Sequence, residues 1–208
     1  MSKLKKFGNF ILFRFIIFMN NNIYIDLPEG FEIKNGKNGY SLFSTKIFKK
    51  GDFLYKSDVY VIPFIEYDDD FIIYNLHVKD NSNNMNFEIL KNHTTIYKHV
   101  DKIIVWSFDS FVNHSCNPNA IMKNFSPLLI NETSSFEQYA LNDINIGDEI
   151  TNNYLLYYYD DHLFECNCNY KFCFKNIKGF KYIDDLEAKK ILVKNIDPEI
   201  LKILDINN

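Results

Sequence analysis

The chain has only four cysteines in 208 residues, Cys116, Cys166, Cys168 and Cys173. Four is few for a disulfide framework, and the C-x-C pair of Cys166 and Cys168 suits one poorly, because such neighbouring thiols chelate more readily than they cross-link. Basic residues carry no surplus either: 23 Lys and Arg against 27 Asp and Glu leave a formal charge of -4 and a pI near 5.7. Neutralising phosphates wants a clustered cationic excess, so this balance speaks against direct nucleic-acid binding and suits a basic protein tail better. No apolar run is long enough to cross a bilayer. Residues 7–18 follow Lys3, Lys5 and Lys6 like the start of a secretory leader, but Arg14 interrupts the run and Asn20-Asn21-Asn22 offers no small-residue cleavage site. Neither secretion nor a membrane role is expected, and the first eighteen residues read as a dispensable leader, a misassigned start or a peripheral hydrophobic strand. Glycine is scarce, seven residues against 20 Phe and 14 Tyr. An AT-rich coding sequence produces that bias as readily as a structural demand, so no function is read into it. No repeat or low-complexity linker divides the chain, and 47% hydrophobic content over this length favours one domain with a short appendage.

Against these absences stand three informative stretches. The first, Asn113-His114-Ser115-Cys116-Asn117-Pro118-Asn119, packs polar side chains and one thiol directly after the bulky Ile103-Ile104-Val105-Trp106-Ser107-Phe108. An Asx turn before Pro118 accounts for Asn117 and Asn119 but leaves Asn113, His114 and Cys116 without a role. The second is Gly147-Asp148-Glu149-Ile150-Thr151-Asn152-Asn153-Tyr154, and the third is Cys166-Asn167-Cys168-Asn169-Tyr170-Lys171-Phe172-Cys173. Three thiols within eight residues plus one distant partner can complete a tetrahedral four-sulfur zinc site. The other readings are four buried small hydrophobes or two disulfides. Zinc implies a reducing compartment, cytosol or nucleus.

Between these stretches the pattern is mostly strand-like. Phe31 to Lys34 and Tyr40 to Ser44 alternate around a turn at 35–39, and Lys50-Gly51-Asp52 marks a second turn before Phe53. Val59 to Ile62 and Phe136 to Leu141 also read as strands. Asp68-Asp69-Asp70 reads as a solvated turn, and 80–86 as a loop. His77, His93 and His99 lack partners at ligand spacing. In the tail, Leu186, Ile191 and Leu192 fall at helical spacing, and Pro198 opens a second helix carrying Ile200, Leu201 and Leu204. Both apolar stripes read as core-packing.

Taken in order, the three stretches resemble the SET-domain protein methyltransferases that carry a post-SET zinc segment. Gly39-Tyr40-Ser41 resembles the family's first motif, a Gly-x-Gly turn lying close to the methionine part of S-adenosyl-L-methionine, with Ser41 in place of the second glycine. The resemblance implies a mostly β (α+β) SET-domain fold of small antiparallel sheets with a knot-like C-terminal threading, plus a C-terminal helical cap. It divides the chain into a leader at 1–22, the SET domain at 23–160 with a variable insert at about 56–100, a post-SET segment at 161–181 and the cap at 182–208. It implies Tyr154 as the catalytic tyrosine and Gly39, Tyr40, Ser41, Asn113, His114 and Tyr154 as cofactor contacts. Cys116, Cys166, Cys168 and Cys173 become ligands of a structural Zn2+, with His162 as a weaker competitor. Tyr157, Tyr158 and Tyr159 read as channel wall or core. The implied activity is methyl transfer to the side-chain amine of lysine in a protein or peptide, a basic histone-like tail being one candidate. The family often carries Phe or Tyr where Asn152 stands, and that position helps set how many methyl groups are added. Ser41 and Asn152 together support the alternative, a catalytically inactive zinc-stabilised interaction module.

Overall fold

The computed structural model describes residues 23–63, 76–79, 94–97, 102–106, 108–129, 132–158 and 164–203. The leader, Asp68-Asp69-Asp70, the loop at 80–86, His93, His99, Tyr159, His162 and Leu204 lie outside the described residues.

The chain is mostly strands in small sheets. In order these are β1 Ile23–Asp26, β2 Phe31–Gly36, β3 Gly39–Ser44, β4 Phe53–Pro63, β5 Leu76–Lys79, β6 Thr94–Tyr97, β7 Lys102–Trp106, β8 Asn113–His114, β9 Ala120–Lys123, β10 Glu132–Ala140, β11 Thr151–Asn152, β12 Phe164–Glu165 and β13 Asn176–Ile177. Two short helices follow, α1 Leu186–Val193 and α2 Pro198–Ile203. The largest sheet is antiparallel in the order β6-β7-β4-β10-β9, and its centre is the long strand β4. The hairpin of β2 and β3 turns more tightly than its sequence suggests, because Gly36 pairs directly with Gly39 and only Lys37 and Asn38 remain in the turn. Gly39 has a φ of 103°, which a side chain would resist.

One face of the large sheet buries Val59, Trp106, Phe136 and Met122. Phe136 is fully buried and meets Phe125 face to face at 5.0 Å and Trp106 edge-on at 5.7 Å. The same cluster takes in Cys166, Ile177, Phe180, Ile183, Leu192, Ile196 and Ile200, so the cysteine-bearing segment and both helices share the sheet's core. Burial of this apolar surface is the main stabilising term. In α1, Leu192 faces inward, whereas Leu186 and Ile191 are 63% and 62% exposed. The packing stripe therefore differs from the expected one, because the face turned to the core carries Ala188, Leu192 and Val193. Asp185 caps α1, its carboxylate accepting from the amides of Glu187 and Ala188. Asp197 does the same for α2 at Glu199 and also accepts from the Phe125 amide at 3.4 Å, tying the helix to the loop after β9.

β9 is the sheet edge next to the candidate site, and its outward amides need partners. The buried Tyr157 supplies one: the Met122 N–H donates to the Tyr157 hydroxyl at 3.0 Å. Tyr157 is thus core. Replacing it with phenylalanine strands that amide, and Tyr157→Phe should lower unfolding free energy in denaturant titrations by about 1–3 kcal/mol.

Candidate functional site

The site forms where two distant segments pair side by side. β8 and β11 run parallel, with Asn113 opposite Thr151 and His114 opposite Asn152, and the Ser115 amide donates to the Asn152 carbonyl at 2.8 Å. Asn119 holds the pair together. Its amide donates to the Glu149 carbonyl at 2.8 Å, and its side-chain oxygen accepts from the Thr151 N–H at 2.9 Å. The local Asx-turn reading of Asn119 therefore gives way to a long-range bridge, because its partners lie about thirty residues on. The segment before β11 is sewn to β3 as well: the Ile150 amide donates to Leu42, and the Ser44 amide to Asp148.

Tyr154 follows β11 directly. Its hydroxyl donates to the Val112 carbonyl at 3.0 Å, and its backbone N–H donates to Nδ1 of His114 at 3.0 Å. His114, Tyr158 and Phe164 stand against the Tyr154 ring with centroid separations of 5.4, 5.1 and 6.0 Å. Burial, then the nearby Tyr158 and Glu149, push the Tyr154 phenol well above its ordinary range. It stays protonated at neutral pH and is a hydrogen-bond donor there rather than a base.

An imidazole nitrogen that accepts from an amide must be the bare one, so the His114 proton sits on Nε2. Nε2 lies 3.3 Å from the sulfur of Cys116. The ring thus spans from the cysteine cluster to the backbone of Tyr154.

The four sulfurs all lie within 4.8 Å of one another, with Cys116 to Cys166 at 3.8 Å and Cys116 to Cys173 at 3.7 Å. All four cysteines are free, so the disulfide reading is set aside. A zinc ion bound to four sulfurs at about 2.3 Å would hold them roughly 3.8 Å apart. The residues present fit such an ion. Burial raises the Cys116 thiol far above its usual range and Cys166 to about 11. At Cys168 burial also pulls upward, but the Tyr170 and Cys116 backbone and the neighbouring thiols outweigh it, bringing it to about 6. Four thiols gathered at ligand spacing suit a dication that would bind them as thiolates. β12 and β13 carry the loop between them, and Lys37 Nζ reaches across from the β2–β3 turn to the Asn167 carbonyl at 3.1 Å.

Asn113 is half-buried between two acceptors. Its Nδ2 donates to Ser41 Oγ at 2.7 Å and to Glu149 Oε1 at 2.9 Å. Gly39 stands two residues from Ser41, and an added Cβ there would meet no atom within 4 Å, leaving its face open to a ligand. Tyr40 lies between them, half-buried and paired with Asn35. An open glycine turn, one amide oxygen left to accept, and a carboxylate fit a ligand bearing a cationic or donor group, as S-adenosyl-L-methionine does.

The structure therefore gathers Ser41, Asn113, His114, Tyr154 and the four cysteines around the β8–β11 crossing. Sequence reasoning gave no role to Glu149, Val112 and Phe164. Glu149 had a signal, its place inside the second motif. Val112 acts through its carbonyl and leaves none. Asn152 and Gln138 form a further pair. Both are fully buried, Gln138 Nε2 donates to Asn152 Oδ1 at 2.7 Å, and Gln138 Oε1 and Asn152 Nδ2 have no partner among the described residues.

The site is strand-built, with a loop crossing a second chain segment beside a half-buried tyrosine and a sulfur cluster alongside. The SET domain family model matches residues 39–155, and the chain belongs to the SET-domain family. The match ends before the three clustered cysteines. The chain is 28% identical over 140 residues to the variant-silencing SET domain-containing protein of Plasmodium falciparum (isolate 3D7), an alignment covering 67% of this chain and 5% of that protein. The chain thus spans a small fraction of that curated relative's length. Among solved structures, the methyltransferase domain of human histone-lysine N-methyltransferase SETMAR matches with a TM-score of 0.43 at 20% identity, covering 72% of this chain and 58% of that one. KRYPTONITE in complex with mCHG DNA and SAH matches with a TM-score of 0.43 at 17% identity, covering 70% and 28%.

Two measurements check the site. The purified chain should carry one zinc per molecule, Cys116→Ser should lower that content, and chelation should drop the thermal midpoint by about 10 °C or more. For the amide pair, Gln138→Leu should cost about 1–3 kcal/mol by stranding Asn152, whereas Gln138→Leu with Asn152→Leu should recover most of that loss.

Proposed function

We propose that the chain is an S-adenosyl-L-methionine-dependent methyltransferase acting on the side-chain amine of lysine in a protein. The observation that carries this is the convergence of Tyr154, Asn113 and Ser41 on one crossing of β8 and β11, walled by aromatic rings. Gly39, Tyr40, Ser41, Asn113, the His114 backbone and Tyr154 form the cofactor face in this reading. His114 contributes through its backbone because both ring nitrogens are turned to Tyr154 and Cys116. Cys116, Cys166, Cys168 and Cys173 hold a structural zinc that pins the segment bearing Phe164 against the tyrosine.

The cofactor supplies an electrophilic methyl group on a sulfonium. The protein's work is to hold the amine in line with it and exclude water. Tyr154, Tyr158 and Phe164 would hold the lysine nitrogen so that its lone pair faces that methyl carbon opposite the sulfur, and the proton released after transfer would leave for solvent. The amine must be neutral to offer that lone pair, although free lysine has a pKa of about 10.4. Desolvation against Tyr154, Tyr158 and Phe164 and the sulfonium charge both lower it. Tyr154, held protonated, orients rather than deprotonates.

The substrate is a protein or peptide presenting a lysine, and a basic tail such as a histone's complements the acidic balance of the chain. No direct nucleic-acid contact is part of this reading, and the compartment is nucleus or cytosol. Among the described residues no helix is long and apolar enough to cross a membrane. The alternative of an inactive module rests on Ser41 and Asn152. Both are hydrogen-bonded interior groups, Ser41 to Asn113 and Asn152 to Gln138, so neither stands as a lesion.

Incubation with labelled S-adenosyl-L-methionine and a histone and peptide array tests the reading. Methyl incorporation into lysine is expected, and Tyr154→Phe should cut kcat by about 10²-fold or more while cofactor affinity stays near that of the parent. Cofactor binding with no transfer to any lysine peptide would leave only the interaction module standing.

A further inference from the structure

We infer that Ser41 is a positioning residue: its buried hydroxyl ties the turn at the start of β3 to the amide of Asn113, making two halves of the cofactor face one hydrogen-bonded unit. The inference rests on the cofactor reading above and adds a role for the side chain that departs from the family's glycine pattern.

Hydrogen-bond polarity fixes the arrangement. Ser41 is fully buried, and its single hydroxyl proton points to the Gly39 carbonyl at 3.3 Å. The oxygen can therefore accept, and it does so from Asn113 Nδ2 at 2.7 Å. The same Nδ2 donates to Glu149 Oε1 at 2.9 Å, so both amide protons have acceptors. Turning the amide over would point its oxygen at a carboxylate and at a hydroxyl whose proton is engaged. Asn113 is thus held with Oδ1 as its one remaining polar atom, and a ligand group that meets it must donate. Glycine at 41 would leave Asn113 with Glu149 alone, a half-buried carboxylate on a separate segment, and would disconnect the glycine turn from the Asn113 loop.

The opposite strand makes room for this hydroxyl. A Cβ at Gly36 would stand 2.5 Å from Ser41 Oγ, 3.2 Å from Ser41 Cβ and 3.3 Å from the tip of the Phe43 ring. Gly36 is not among the positive-φ glycines, which are Gly30, Gly39, Gly51, Gly147 and Gly179. Its backbone accepts any residue, so what glycine supplies at 36 is space, first for the Ser41 side chain and next for the Phe43 ring.

Isothermal titration of the full chain as purified with S-adenosyl-L-methionine tests this. Ser41→Ala and Ser41→Gly should each raise Kd about tenfold, the worth of one buried hydrogen bond. Gly36→Ala should raise it by a similar factor by displacing the hydroxyl, and Gly36→Ala with Ser41→Gly should bind no more weakly than Ser41→Gly alone. Without any cofactor, the Asn113 side-chain amide protons should exchange with solvent faster in Ser41→Ala, a readout by NMR that a general loss of packing would not confine to that group. Parent-like affinity and parent-like amide exchange in Ser41→Ala would overturn this inference alone, as would full additivity of the Gly36 and Ser41 effects. Failure of the parent chain to bind the cofactor would overturn both this and the cofactor reading.

Discussion

Everything at the site depends on two residues of parallel pairing, Asn113 and His114 against Thr151 and Asn152. So short a ladder has little stability of its own, and parallel partners need a long crossover between them. The molecule supplies the missing support from side chains. Asn119 grips the second segment at two backbone positions, Ser115 adds a main-chain bond, and β3 holds the approach to β11 through Leu42 and Ser44. The chemistry-bearing groups are thus fixed by backbone register, which is the most exacting constraint a chain can impose on a side chain.

His114 links this crossing to the sulfur cluster. One ring nitrogen receives the Tyr154 amide and the other faces Cys116. The amide on the far side fixes the ring's orientation, and with it the direction of the Nε2–H toward the sulfur. The cluster and the tyrosine therefore share an intermediary with no rotational freedom to spare. Phe164 strengthens the same connection, because it arrives on β12 next to the cysteines and packs on both His114 and Tyr154.

Much of this was readable along the chain, and the reasons are physical. Thiols at ligand spacing announce themselves because few other demands produce that pattern, and the structure gathers all four sulfurs. Alternation marked the strands of the β2–β3 hairpin, since one buried face imposes a period of two. The polar bridges were hidden. Asn119 read as a local turn residue because its partners are far away in sequence, and the same distance concealed Glu149 on Asn113 and Gln138 on Asn152. Val112 acts through a carbonyl, which every residue has. In the tail, helical periodicity is real but the packed face carries Ala188, Leu192 and Val193, which leaves Leu186 and Ile191 outside.

The sulfur cluster joins Cys116 to partners 50 and 57 residues downstream. At ribosomal rates of about 5–20 residues per second, Cys116 leaves the exit tunnel roughly several seconds before its partners do. During that interval the loop bearing it has no means of closing, and a newly made chain presents a lone thiol beside an unfinished wall. The order of synthesis therefore completes the sulfur cluster last: nascent chains truncated between residue 155 and Cys173 hold the whole matched region and still lack part of the cluster.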